Sequence, residues 1–321
     1  MAEGNCLVTG GGGFLGSHLV EALLMEGWRV KVLECNAASG SNMTRVAKQV
    51  QVIEGSFGDR ELAHKALQGV DVLFHFASTT TPSTAYGHSV FDVATNLVDT
   101  LHLFEEAMAC GVTRIFFPSS GGTIYGVARE IPTPETHCAQ PICSHGIVKL
   151  AIEHYIRLLN RERGIQYTIL RYANPYGPRQ RPDGPQGVVA VFIGKILMQQ
   201  PIDLWGDGTV VRDLIYIDDL VQATLLSLHS KRAINEVFNI GSGEGVSVGS
   251  LIGLIEEIAG VDAVIKVNPA REFDVPKSVL AIRKAQIELG WTPAVPLREG
   301  LKSTATWIEG YLRSSPSKIG K

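Results

Sequence analysis

The chain has 321 residues, 45% hydrophobic and 19% charged, and its 29 basic against 32 acidic side chains give a formal net charge of −3. That length can bury one large or two ordinary cores, and scattered, nearly balanced charges exclude a nucleic-acid-binding surface, so any phosphate contact must be local. No apolar run approaches the roughly 20 residues that span a bilayer, and the first strand-like run starts too close to Met1 for a signal peptide, so a cytoplasmic protein with no membrane partner is expected. Five cysteines, an odd count without metal-ligand spacing, fit a reducing compartment and predict no metal site.

In chain order, residues 5–9 form a short apolar run suited to a buried strand. It meets Gly10-x-x-Gly13-x-x-Gly16, and Phe14, Leu15, Leu19, Ala22 and Leu23 then recur with helical spacing. Gly10 permits the tight turn and Gly13 lets the backbone approach a pyrophosphate. Gly16 lets the helix pack against the sheet while its N-terminal amides face the anion. A second strand over 29–33 ends at Glu34, at about the 20-residue distance where a carboxylate takes the ribose hydroxyls and repels a 2′-phosphate. The pattern predicts NAD as cofactor in preference to NADP; the plain alternative is a glycine-rich turn beside an incidental acidic residue. Further strands are predicted over 50–54, 70–75, 114–117 and 166–171, with amphipathic helices over 98–110 and 150–163. Alternation of this kind predicts an α/β fold with a doubly wound parallel sheet of Rossmann type. A Pro/Gly-rich stretch over 174–185 then breaks the pattern. The expected organisation is an NAD-binding domain over 1–172 with returning segments near 211–241. A smaller mixed α/β substrate domain would occupy 173–210 and 242–321.

Several landmarks follow in order along nearly the whole chain. They are Thr9-Gly-Gly-Gly-Gly-Phe-Leu-Gly16, Phe74-His-Phe-Ala77, Ser119-Ser-Gly-Gly-Thr-Ile-Tyr-Gly126, Asn174-Pro-Tyr-Gly-Pro178, Trp205-Gly-Asp-Gly208, Val211-Arg-Asp213 and Leu289-Gly-Trp-Thr-Pro293. With them the chain resembles the extended short-chain dehydrogenase/reductases, specifically the NAD-dependent nucleotide-sugar epimerase/dehydratase family. The resemblance implies that Gly10, Gly13, Phe14, Leu15 and Gly16 hold the NAD diphosphate, Glu34 the adenosine ribose and Lys149 the nicotinamide ribose. Ala77 would form the turn beside the nicotinamide. Ser56, followed by Phe57, stands where the family places an aspartate against the adenine. Asn174, Arg212 and Arg271 match contacts to the diphosphate of a UDP-sugar, for which a guanidinium fork is suited. The plain alternative for the arginines is surface ion pairing, Arg212 with Asp213 and Arg271 with Glu272 or Asp274. Relatives pair helices like those over 98–110 and 150–163, which implies a homodimer.

Two positions depart from the family. Gly121 stands where relatives carry a serine or threonine that hydrogen-bonds the sugar, leaving Ser119, Ser120 and Thr123 as possible substitutes. Gly122 and Thr123 stand where sugar 4,6-dehydratases carry an Asp-Glu pair, which argues against that reaction. In Pro141-Ile-Cys-Ser-His145-Gly-Ile-Val-Lys149, His145 replaces the tyrosine of a Tyr-x-x-x-Lys element. A phenol, with a pKa of about 10, needs activation to act as a base, whereas an imidazole near about 6.5 does not. A lysine cation and the positive nicotinamide keep such an imidazole neutral and able to accept a proton. His145 is therefore the expected proton acceptor, Tyr125 its rival. The implied chemistry is transient oxidation of a UDP-hexose at C4; the ketone acidifies C5–H and makes a C6 hydroxyl a leaving group. The altered acid/base set resembles the NDP-hexosamine 5,6-dehydratases of tunicamycin-type antibiotic biosynthesis. UDP-GlcNAc 5,6-dehydration is thus the first expectation and 4-epimerisation of a UDP-hexose such as UDP-GlcNAc or UDP-glucose the alternative. A non-catalytic NAD-binding sensor is the third.

Overall fold

The structure, a computed structural model, describes residues 4–35, 41–184, 186–271 and 274–314. Its strands are β1 (Asn5–Thr9), β2 (Arg29–Glu34), β3 (Gln51–Glu54), β4 (Val72–His75), β5 (Arg114–Ser120), β6 (Gln166–Tyr172), β7 (Asn174–Tyr176), β8 (Ile202–Trp205), β9 (Val211–Tyr216), β10 (Glu236–Ile240), β11 (Gly245–Ser247), β12 (Ile265–Asn268) and β13 (Lys277–Ser278). The large sheet has seven parallel strands in the order β10-β6-β5-β4-β1-β2-β3. Because β1 lies between β2 and β4, the winding reverses there. In such a sheet, ligands bind in the crevice beyond the strands' carboxyl ends at the reversal.

Nearly unbroken apolar strands suit a sheet covered on both faces. Successive side chains leave a strand on opposite faces. Accordingly Cys6, Val8, Phe74, Phe116 and Leu170 belong to one buried cluster, whereas Leu7, Leu73, Ile115, Phe117 and Ile169 belong to the other. The register places Val8 opposite both Val32 and Phe74, which continues the first cluster across three strands.

Two local expectations change. The helix expected over 150–163 spans Ser144–Arg163, so the His145 and Lys149 positions lie within its first two turns. The helix expected over 98–110 is an α-helix, Asp99–Ala109, entered through a π-helical stretch, Val93–Val98. One longer-range expectation is corrected. Of the segments expected to return to the first sheet, β10 pairs with β6, but β9 lies in a separate small sheet between β11 and β13 and also pairs with β7. An apolar run signals burial, and its pairing partner is a non-local choice. No described helix is long and apolar enough to cross a membrane.

Candidate active site

The glycine turn sits where β1 meets the Phe14–Met25 helix. Gly10 has φ +70°, and a Cβ there would lie 2.9 Å from the Ala77 Cα. A Cβ at Gly16 would lie 2.2 Å from the Gly10 carbonyl oxygen, so the turn closes onto the helix only without a side chain. The Glu34 carboxylate accepts the Gly12 amide proton at 3.0 Å and lines the adjoining cavity with Gly10, Gly13, Phe14, Leu15 and Gly16. A bare glycine turn at a helix N-terminus, flanked by a carboxylate, fits a dinucleotide diphosphate and an unphosphorylated ribose. Ala77 backs this turn, its amide donating to Thr9 Oγ1 at 3.2 Å. Ser56 and Phe57 do not line the cavity: Ser56 Oγ accepts the Gly58 amide proton, and the buried Phe57 packs edge-on against His75.

In the Ser144–Arg163 helix, four-residue spacing stacks His145, Lys149 and Glu153 on one face, and all three are buried. Lys149 Nζ donates to the Pro118 carbonyl at 3.0 Å and lies 4.7 Å from the centre of the Phe117 ring. Burial lowers its pKa to about 8, against Asp92 and Glu153. Burial, reinforced by Lys149 and opposed by Asp92, lowers the His145 pKa to about 4. The imidazole is therefore neutral at physiological pH, and among the described residues nothing hydrogen-bonds to its ring nitrogens.

Ser120, Thr123, Cys143 and Asn174 line the cavity near this helix; neither His145 nor Lys149 does. The direction that a side chain at Gly121 would take is filled by Leu280, whose Cδ1 would be 2.5 Å from a Cβ. The Ser119 hydroxyl donates to the buried Glu153 at 2.6 Å. Thr123 Oγ1 is buried without a hydrogen-bond partner among the described residues, a cost normally offset by a ligand or water.

Tyr125, the rival proton carrier, is held in a hydrogen-bond network of its own. Its hydroxyl donates to Asn239 Oδ1 at 2.7 Å and accepts from Arg171 at 2.9 Å, away from the cavity lining. Burial pushes the phenol up to about 12 despite the opposing Arg171. Arg171 in turn forks onto Glu153 at 2.7 and 3.0 Å, so the tyrosine belongs to a buried structural network.

At the cavity's other end stand Arg212, Arg271, Trp205 and Asp274. Arg212 donates to the Val211 and Val275 carbonyls and to Asp274 at 3.4 Å. Its expected partner Asp213 is engaged instead by Ser242, Gly243 and the Leu280 amide. The Arg271 guanidinium lies 4.1 Å from the centre of the Trp205 ring. Its suggested pairing with Glu272 falls outside the described residues. Asn174 donates to the Asp213 carbonyl at 2.9 Å and faces the same cavity. Sequence reasoning passed over Trp205 as a mere landmark and missed Asp92, which no motif marks.

A doubly wound sheet whose glycine turn opens into an arginine-ended cavity defines an extended short-chain dehydrogenase/reductase. A putative UDP-glucose 4-epimerase of Methanocaldococcus jannaschii is 35% identical over 309 residues, covering 96% of this chain and 99% of its own. Among solved structures, UDP-glucose 4-epimerase of Thermotoga maritima with UDP-glucose is 41% identical at a TM-score of 0.90, covering 96% of this chain and 99% of its own. That of Thermus thermophilus, in complex with NAD, is 34% identical at 0.89, covering 95% and 99%. The model of the NAD dependent epimerase/dehydratase family matches residues 6–241. The chain belongs to this family, and it is an NAD-dependent enzyme.

Proposed function

We propose that the chain is a UDP-hexose 4-epimerase acting through transient oxidation at C4. The observation that carries this is one cavity of about 970 Å³ that runs from the glycine turn, past Thr123 and Asn174, to Arg212 and Arg271. It has room and donors for a dinucleotide and a nucleotide sugar together. NAD, when bound, supplies the hydride acceptor and later the donor. The chain's own work is to hold both ligands, with Gly10–Gly16 and Glu34 on one and Asn174, Arg212 and Arg271 on the other, and to move a proton. His145 takes the C4 hydroxyl proton, directly or through one water, while Lys149 holds the nicotinamide ribose. Thr123 Oγ1 bonds the sugar in place of the hydroxyl missing at Gly121.

Dehydration across C5 and C6, the first expectation, is displaced for two reasons. The similar proteins of Methanocaldococcus jannaschii, Thermotoga maritima and Thermus thermophilus carry the name of UDP-glucose 4-epimerase, the first as a putative one. In addition, the carboxylates among the described lining residues, Glu34, Asp203 and Asp274, accompany the glycine turn or the arginine end, leaving none beside Thr123 to take the C5 proton. Gly122, which lines the cavity, puts no side chain on that wall, which favours turning of a 4-keto sugar before hydride return. UDP-glucose and UDP-GlcNAc should each be incubated with the NAD-loaded enzyme and followed by mass spectrometry and proton NMR. The C4 epimer at unchanged mass is expected; loss of one water from either would restore the dehydratase reading.

We also infer a homodimer. The Ser89–Asp92, Val93–Val98 and Ser144–Arg163 helices pack together and expose Val90, Phe91, Val98, Ile147, Tyr155 and Leu158, apolar side chains that a partner copy would cover.

A further inference from the structure

Asp92 is fully buried and lies outside every motif of the chain. Its Oδ1 accepts from Thr80 Oγ1 at 2.7 Å and from Asn96 Nδ2 at 3.0 Å. Its Oδ2 accepts from Ser144 Oγ at 2.7 Å, and Ser144 directly precedes His145 at the start of the same helix. A buried carboxylate is retained only where donors or cations compensate its desolvation. Here three neutral donors hold it, and the cationic neighbour is Lys149.

We propose that Asp92 is a positioning residue for the proton transfer, the buried counter-charge shared by His145 and Lys149 and tied by Ser144 to the helix that carries both. The inference rests on the proposed C4 chemistry. In the oxidation step the C4 O–H bond breaks and its proton passes to an imidazole nitrogen. The C4–H bond breaks with its electron pair leaving as hydride to the nicotinamide, and C4=O forms; hydride return reverses each transfer. While the imidazole holds the proton, two cations, imidazolium and lysine ammonium, lie one helical turn apart. Asp92 offsets that repulsion.

Among the described residues no other group is placed for this task, and the Cys143 thiol beside Ser144 is pushed up by burial with Asp92 adding to it. Glu153 is occupied by Arg171 and Ser119. The Pro82–Ala85 helix and the Val93–Val98 stretch bring no ionisable side chains. β5 carries Arg114, pinned to the Ser227 and Leu228 carbonyls, and β6 carries Arg171. Asp99 of the Asp99–Ala109 helix abuts Gly58, and the buried His75, pushed down to about 3 by burial and Lys149, stays neutral. Asp92 opposes the downward shift of both His145 and Lys149.

The test is NMR titration of Lys149 in lysine-labelled protein with and without NAD, alongside pH profiles of turnover. Asp92→Asn keeps the shape and removes the charge. It should lower the Lys149 midpoint by about one pH unit and kcat by about tenfold, leaving KM within a few-fold. Ser144→Ala keeps the charge and removes a donor that neutralises it, so it should move the midpoint upward. A role confined to holding the Thr80 loop predicts lost stability with no change in midpoint. An unmoved midpoint in Asp92→Asn overturns the proposal. Should Asp92→Asn not fold, Ser144→Ala decides: an upward shift supports the proposal and an unmoved or lowered midpoint overturns it. Because the titration reads the folded protein without turnover, it stands apart from whether the product is an epimer.

Discussion

At the scale of single residues, the proposed chemistry turns on the exchange of a phenol for an imidazole. His145 in the tyrosine slot is a weak base, lowered to about 4, yet it is neutral at the pH of function and needs no prior deprotonation. General-base catalysis is typically worth about 10²–10⁴-fold, so His145→Ala should lower kcat by that factor with KM little changed. His145→Tyr should recover part of the loss if the longer ring fits. Steady-state kinetics with UDP-glucose reads both. Tyr125→Phe should behave differently. It removes a buried donor and acceptor, leaving Asn239 Oδ1 and an Arg171 N–H poorly matched, at a cost of about 1–3 kcal/mol. Its denaturation midpoint should fall while turnover stays within a few-fold of wild type; an inactive but stable Tyr125→Phe would return the proton transfer to the phenol.

At the scale of elements, the strand, glycine turn and helix at the N-terminus act as one unit. Gly16→Ala would drive a Cβ to within 2.2 Å of the Gly10 carbonyl, a backbone atom that cannot yield without opening the turn. Calorimetric titration should show NAD affinity falling at least about tenfold, with the rest of the fold retained. Glu34 belongs to the same unit, its carboxylate held by the Gly12 amide, and on the proposed ribose assignment it would repel a 2′-phosphate. Wild-type protein should therefore bind NAD more tightly than NADP, and the reverse order would remove the ribose assignment. The Ser144–Arg163 helix was legible as an element but not at its start, since Ser144 has a free hand in sequence to be loop or cap. Its earlier start, with Ser144 bonded to Asp92, brings His145 into register with Lys149.

At the scale of the whole molecule, burial of imidazoles links stability to pH. His75 and His145 have folded pKa values of about 3 and about 4, below the usual value near 6.5. As pH falls below about 6.5 the unfolded chain binds protons that the folded chain refuses, so the contribution of these two rings is full above that value and is lost progressively toward about 3. Urea midpoints at pH 7.5 and 5.0 should differ accordingly, the lower pH being less stable; equal midpoints would mean that both rings protonate freely in the fold. The exposed apolar face of Val90, Phe91, Ile147 and Leu158 predicts a dimer by analytical ultracentrifugation. Charged substitutions such as Ile147→Lys should shift the protein toward monomer.

What the amino-acid order by itself determined is local. The turn geometry of Gly10, Gly13 and Gly16, the alternation that fills both faces of the sheet, and the four-residue step from His145 to Lys149 follow from backbone sterics and from the periods of strand and helix. The tertiary structure decided whatever depends on partners distant in sequence. It drew Tyr125 into the Arg171–Asn239 network, laid Leu280 in the space beside Gly121, paired Arg212 with Asp274 and brought Asp92 to Ser144. Burial and its electrostatic consequences are set by which non-local groups meet when the chain closes. A side chain's type and spacing state what it can do, and only its neighbours in space decide whether it does.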